Sequence, residues 1–123
     1  MERKVEKNCI NELTRIVELL RDPQKGCQWD KEQTHKSLIP YVIEEAYEVA
    51  NAIRSGSISS LKEELGDLLL QVILHAQIAN EDENFNLDDV ITEISQKLIR
   101  RHPHVFGEIK ACTSEEATKI WSS

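Results

Sequence analysis

Glu44, Glu45 and Glu48 stand at i, i+1 and i+4, and further along the chain Glu64 and Asp67 stand at i and i+3. At about 100° per residue, the first three carboxylates share a helical arc of roughly 100°. Glu64, Asp67, Gln71 and His75 fall in a strip about 80° wide, with Leu68 on one side and Leu74 on the other. Around that strip the segment is almost wholly apolar, so its helix should be buried and its acids carried toward the core. Taking a carboxylate out of water costs on the order of several kcal/mol. Lys62, on the far arc, is poorly placed to compensate two of them.

Setting the Glu45/Glu48 edge against the Glu64/Asp67 strip gathers four carboxylates around one point. That donor set suits a hard divalent cation. Oxygen ligands favour Mg²⁺, Mn²⁺ or Ca²⁺ over Zn²⁺, and an incomplete protein shell leaves positions for water and phosphate oxygens. Magnesium is the physiological choice and manganese its substitute. His75 reads as a hydrogen bonder behind the ligands, because hard cations prefer oxygen. Two other readings use the same residues: a helix pair knitted together by Lys62, or an oligomer interface where the acids meet basic residues of a second chain.

Helices must position these groups. Leu, Ile, Glu and Lys dominate, with only four Gly and three Pro, so the chain reads as all-α. The expected architecture is a compact bundle of four main helices plus a short C-terminal helix, in one domain over residues 1–123. Ile10, Leu13, Val17 and Leu20 place the first helix near residues 6–21. Asp22-Pro23-Gln24-Lys25-Gly26 stops it, and Asp30-Lys31-Glu32-Gln33 has the form of a capping box that opens a short turn. Pro40 and Gly56 bracket a second helix at 39–54. Ser60-Leu61-Lys62-Glu63 has capping-box form for a third, which runs to Asn80. The fourth starts at Asn86 to Asp89, with Val90, Ile91, Ile94 and Leu98 inward, and ends before Pro103. Thr113-Ser114-Glu115-Glu116 caps a last helix through Trp121.

The formal net charge of −7 repels long nucleic acids. An acidic protein can still take a polyanionic small molecule when a divalent cation lies between them. With no apolar run of membrane-spanning length and a charged start, Met1-Glu2-Arg3-Lys4, the expectation is a soluble cytoplasmic protein. Cys9, Cys27 and Cys112, odd in number and widely spaced, read as free thiols.

The acidic pattern sits in a longer context. Leu20-Arg21-Asp22-Pro23, Gly26-Cys27-Gln28-Trp29-Asp30 and Gln33-Thr34-His35 precede Glu44-Glu45-Ala46-Tyr47-Glu48 and Glu64-Leu65-Gly66-Asp67. Arg100-Arg101-His102-Pro103-His104-Val105-Phe106-Gly107 follows. In this order the segments resemble the MazG family of nucleoside triphosphate pyrophosphohydrolases, within the all-α pyrophosphatase superfamily, over residues 10–121. Gln28 departs from the Pro usual in that family, which removes a rigid bend from the loop.

The resemblance implies hydrolysis between the α and β phosphates of a nucleoside triphosphate. By residue-for-residue match, Glu45, Glu48, Glu64 and Asp67 would hold magnesium, and Glu44 would touch a second ion or orient the attacking water, with Glu45 also in a catalytic role. Lys97, Arg100 and Arg101 become phosphate contacts, with Lys97 and Arg101 on one face at i and i+4. Without the resemblance, the same basic residues would simply complement a helix C-terminus. Trp29 becomes a base-stacking candidate, and Trp121 matches the Trp of the family's C-terminal helix. The superfamily implies a homodimer or homotetramer, which suits so apolar a helix. Two competing functions remain: a pyrophosphohydrolase acting on a phosphoribosyl nucleotide, and a non-catalytic helical module that senses nucleotide or captures a partner.

Overall fold

The periodic apolar positions do form helices. In a computed structural model, which describes residues 10–107, six helices and no strand occur among the described residues. The chain divides between Phe85 and Asn86 into two units. The first holds α1 (Ile10–Leu20), α2 (Gln28–Glu32), α3 (Ile39–Ser55) and α4 (Ile58–Glu81); the second holds α5 (Leu87–Arg100) and α6 (Pro103–Phe106). The helix expected at Thr113–Trp121 and the first residues of the helix expected from residue 6 lie outside the described residues.

α3 and α4 form an antiparallel hairpin, and α1 packs on α4. Gly56 closes α3 in the left-handed conformation at φ 74°, which glycine adopts without a Cβ penalty. Ser57 follows at once as N-cap of α4, its side chain accepting from the Ser60 amide at 3.2 Å. This corrects the expected start: Ser60 is already helical and donates to a cap, because the two-residue turn brings Ser57 into the capping position first. The Asp30–Gln33 box is also not used. Cys27 is the N-cap of α2 without a side-chain bond, Asp30 lies within the helix, and the Gln33 side-chain Nε2 donates to the Trp29 carbonyl at 2.9 Å. Asn86 and Asp89 do make a reciprocal capping box at the start of α5. α6, opened by Pro103, has too few residues for a periodic signal.

Val17, Leu38, Ile73 and Leu74 are the largest wholly buried side chains, and Ala52, Ala76, Ile78 and Ala79 complete the core. The C-terminal half of α4 is therefore enclosed, as expected. Its N-terminal half is not: Leu65 and Leu69 are 48% and 41% exposed, as is Val72 just beyond at 43%, and Ile43 and Tyr47 on α3 are open as well. Apolar composition predicted burial for the whole helix; among the described residues α3 and α1 pack on it, and the fully buried positions concentrate between Gln71 and Ala79.

The turn after α1 is tightly built. The Asp22 carboxylate accepts from the Gln24 and Lys25 amides at 3.1 and 2.7 Å, which holds its pKa below the usual carboxylate range. A Cβ on Gly26 would meet the Leu20 carbonyl oxygen and lie 2.7–2.8 Å from backbone atoms of Asp22, none of which can swing aside. Gly26→Ala is expected to destabilise more than Gly56→Ala. The latter meets open space and loses only the left-handed preference, about 1 kcal/mol. Urea midpoints of the two variants give the order directly.

Candidate metal centre

Glu45 lies at the middle of α3, and Glu64 and Asp67 lie one turn apart near the start of α4. Because the hairpin runs antiparallel from the Gly56–Ser57 turn, these levels come face to face. One carboxylate oxygen from each of Glu45, Glu64 and Asp67 lies within 4.8 Å of the others, all three residues being half-buried.

The electrostatics record the crowding. The Glu45 carboxyl is raised by partial loss of water and by the charges of Asp67, Glu44 and Glu48. Glu64 is raised by the same loss of water and then by Asp67, Glu48 and Glu45. Among the described residues no Lys or Arg, Lys62 included, contributes to either shift, so the Lys62-knitted helix pair does not describe these acids. Glu48, one turn beyond Glu45, is exposed and falls outside the 4.8 Å group, yet its charge reaches both neighbours. Glu44 is exposed beside Glu45. Three converging oxygen donors without a basic partner among the described residues fit a hard divalent cation.

Other candidates take different places. Trp29 packs edge-to-face on Tyr41, with centroids 5.6 Å apart at 86°, and Tyr41 precedes Glu45 by one helical turn. Trp29 therefore stands at the N-terminal end of α3, in the same unit as the acids. Lys97 and Arg100 lie in the last turn of α5, and Arg101 is its C-cap, in the second unit. Trp121 lies outside the described residues. Cys27 is a free, exposed thiol; Cys9 and Cys112 lie outside the described residues.

Two features escaped sequence reasoning. His35, read only as part of a motif, brings its Nδ1 to 2.7 Å from Nδ1 of His75, with the two rings parallel. Burial, then the neighbouring His35, holds the His75 imidazole below its usual pKa. Arg21, read only as a helix end and part of a motif, reaches from the end of α1 to Glu81 at the end of α4 through two bonds of 2.8 and 2.9 Å. It also donates to the Asp30 and Gln33 carbonyls at 2.6 and 3.0 Å. No periodicity announces a contact between residues 60 apart in the chain.

Comparison with known proteins agrees with this arrangement. The MazG nucleotide pyrophosphohydrolase domain matches residues 33–106. A Thermotoga maritima protein called nucleoside triphosphate pyrophosphohydrolase/pyrophosphatase MazG is 58% identical over 80% of this chain and 38% of its own length. The nucleoside triphosphate pyrophosphohydrolase of Escherichia coli K12 is 48% identical over 93% of this chain and 43% of its own length. The crystal structure of a mazG-related protein from Thermotoga maritima superposes with a TM-score of 0.68 at 30% identity, covering 88% of this chain and 94% of that one. The chain thus spans about two fifths of the two curated relatives. Sequence match, helical architecture and facing carboxylates together place this chain in the MazG nucleotide pyrophosphohydrolase family.

Proposed function

We propose that the chain hydrolyses nucleoside triphosphates between the α and β phosphates, releasing a nucleoside monophosphate and pyrophosphate, as a cytoplasmic enzyme that clears the nucleotide pool. The meeting of Glu45, Glu64 and Asp67 across the α3–α4 hairpin carries this reading, supported by the family and by relatives named for that activity.

Glu45, Glu64 and Asp67, with Glu48 at the rim, hold Mg²⁺, for which Mn²⁺ can substitute. Bound there, the ion neutralises phosphate charge and lowers the pKa of water. The protein's part is largely positioning, since phosphoryl transfer needs little covalent help from a side chain. A water oxygen forms the new bond to the α phosphorus as the bond from that phosphorus to the α–β bridging oxygen breaks, and pyrophosphate leaves with the electron pair. Glu45 and its neighbour Glu44 are the carboxylates assigned to orient that water and accept its proton, with contact to a second ion the other role open to Glu44. The family match supports Lys97, Arg100 and Arg101 as phosphate-binding residues, and the resemblance to the family supports Trp29 and Trp121 as base-binding residues. The open apolar side chains Ile43, Tyr47, Leu65 and Leu69 are the surface for a second copy of this chain, in a homodimer or homotetramer.

Incubation with a panel of normal and modified ribo- and deoxyribonucleoside triphosphates is expected to release pyrophosphate only when Mg²⁺ or Mn²⁺ is present. Release of orthophosphate instead, turnover in EDTA equal to that in Mg²⁺, or nucleotide binding without turnover rejects the assignment. A phosphoribosyl nucleotide in the panel tests the related activity.

A further inference from the structure

Glu64 and Asp67 begin a stripe on α4 that continues through Gln71 and His75. Beyond the acids it turns neutral and its polar atoms lack partners. Gln71 is only 7% exposed, and its buried Oε1 accepts no hydrogen bond from the described residues. His75 Nε2 is also buried and unpartnered. Its other nitrogen is engaged with His35, so one ring donates and the other accepts at that contact. His75 Nε2 is then a bare acceptor in one tautomer and an unused N–H in the other. Neither tautomer satisfies it among the described residues. Buried polar groups left without partners cost free energy, and folded proteins seldom keep two of them one turn apart without use.

We propose that Gln71 and His75 bind the nucleoside half of the substrate, downstream of the carboxylates that take its phosphate end. This rests on the pyrophosphohydrolase reading and adds a direction to it. At 1.5 Å per residue, Gln71 lies about 6 Å and His75 about 12 Å beyond Asp67 along the helix axis, a span like that from an α phosphorus to the polar edge of a base. The charge pattern follows the substrate: an ion-holding acidic end for the anionic phosphates, an uncharged hydrogen-bonding end for the neutral nucleoside. The opposite helix agrees, since the antiparallel hairpin puts Tyr41, with Trp29 against it, at the level of this neutral end. His35, on the turn before α3, keys His75 in place by the 2.7 Å contact.

The test measures dissociation constants, in Mg²⁺, of α,β-methylene nucleoside triphosphates with different bases and of inorganic tripolyphosphate. Gln71→Met keeps the side chain's length and removes its hydrogen bonds; His75→Gln keeps a polar group and removes the ring. Each variant is expected to weaken the nucleotide analogues about tenfold, the loss of a good hydrogen bond, and to narrow the spread between bases. Tripolyphosphate should bind both variants within twofold of wild type. Unchanged nucleotide affinities with a shifted melting temperature would mean that an interior water satisfies these atoms, and would overturn the inference. Equal losses for tripolyphosphate and nucleotides would overturn it too, as a distortion of the acidic end. A wild type that binds tripolyphosphate as tightly as nucleotides removes the nucleoside site alone, whereas one that binds neither removes the parent reading with it.

Discussion

Asp67→Asn is expected to lower Mg²⁺-dependent pyrophosphate release at least about 100-fold, the upper range for losing a group that merely supports a metal ligand, while raising the stability of the metal-free protein. The two effects have one cause. Asp67 pushes up the carboxyls of both Glu45 and Glu64, and each in turn is pushed by the other acids. Without a cation, the cluster is a set of like charges partly withdrawn from water, so deleting one charge relieves the rest. The pH dependence fixes the sign. A carboxyl whose folded pKa is raised binds protons more readily in the folded state, so its penalty is present above that raised pKa and fades as pH falls toward the ordinary carboxylate range. The stabilising effect of Asp67→Asn should therefore be largest near neutral pH and shrink in acid. Mg²⁺ should reverse the order, because an ion that binds only the folded state raises wild-type stability by about 2.7 kcal/mol at a hundredfold excess over Kd. Melting curves with and without Mg²⁺, beside a pyrophosphate assay, read all of this. Equal turnover by the variant, or an equal Mg²⁺ shift in both proteins, would remove Asp67 from the site.

Arg21→Met should cost about 2–4 kcal/mol, the range for breaking a paired charge in a desolvated setting, or on the order of 10 °C in melting temperature. The Arg21 side chain is 7% exposed, and its guanidinium makes all four bonds that tie α1 to Glu81, Asp30 and Gln33. Removing it leaves the Asp30 carbonyl with only the 3.4 Å bond from the Gln33 amide, the Gln33 carbonyl without its guanidinium donor and the Glu81 carboxylate with only the 3.2 Å bond from Gln77, and frees the segment that carries Trp29 and His35. Glu81→Gln should cost less, because its partner Glu81 is 37% exposed and water can replace part of the pair. Arg21 holds the Glu81 carboxyl below its usual pKa. The contribution of the pair is thus full above the unfolded-state value and is lost as pH falls through the lowered one. The stability gap between wild type and Glu81→Gln should close below about pH 4. A gap that stays constant into acid would mean that packing, not charge, accounts for the effect. Unfolding midpoints at several pH values decide it.

The helices were legible because their signals are local. Pro40 and Gly56 bracket α3, the Asn86–Asp89 box opens α5, and the apolar period of Ile10 to Leu20 predicts α1. Start sites were less legible, because candidate caps compete: Ser57 and Ser60 both qualify by type, and the tight turn after Gly56 selects Ser57. The acidic strip of α4 was legible as well, since four polar residues in an apolar helix demand an explanation.

Residue types and their spacing on each helix by themselves determined that this chain is helical, that it carries carboxylates suited to a hard cation, and that its motifs resemble one family. Tertiary structure alone decided that Glu45 meets Glu64 and Asp67 within 4.8 Å while Glu48 stays at the rim. It alone revealed that Arg21 spans to Glu81 and that His35 keys His75. The reason is one of range: helical periodicity orders side chains over a few turns, whereas the register of one helix on another is set by packing and by bonds between residues far apart in the chain.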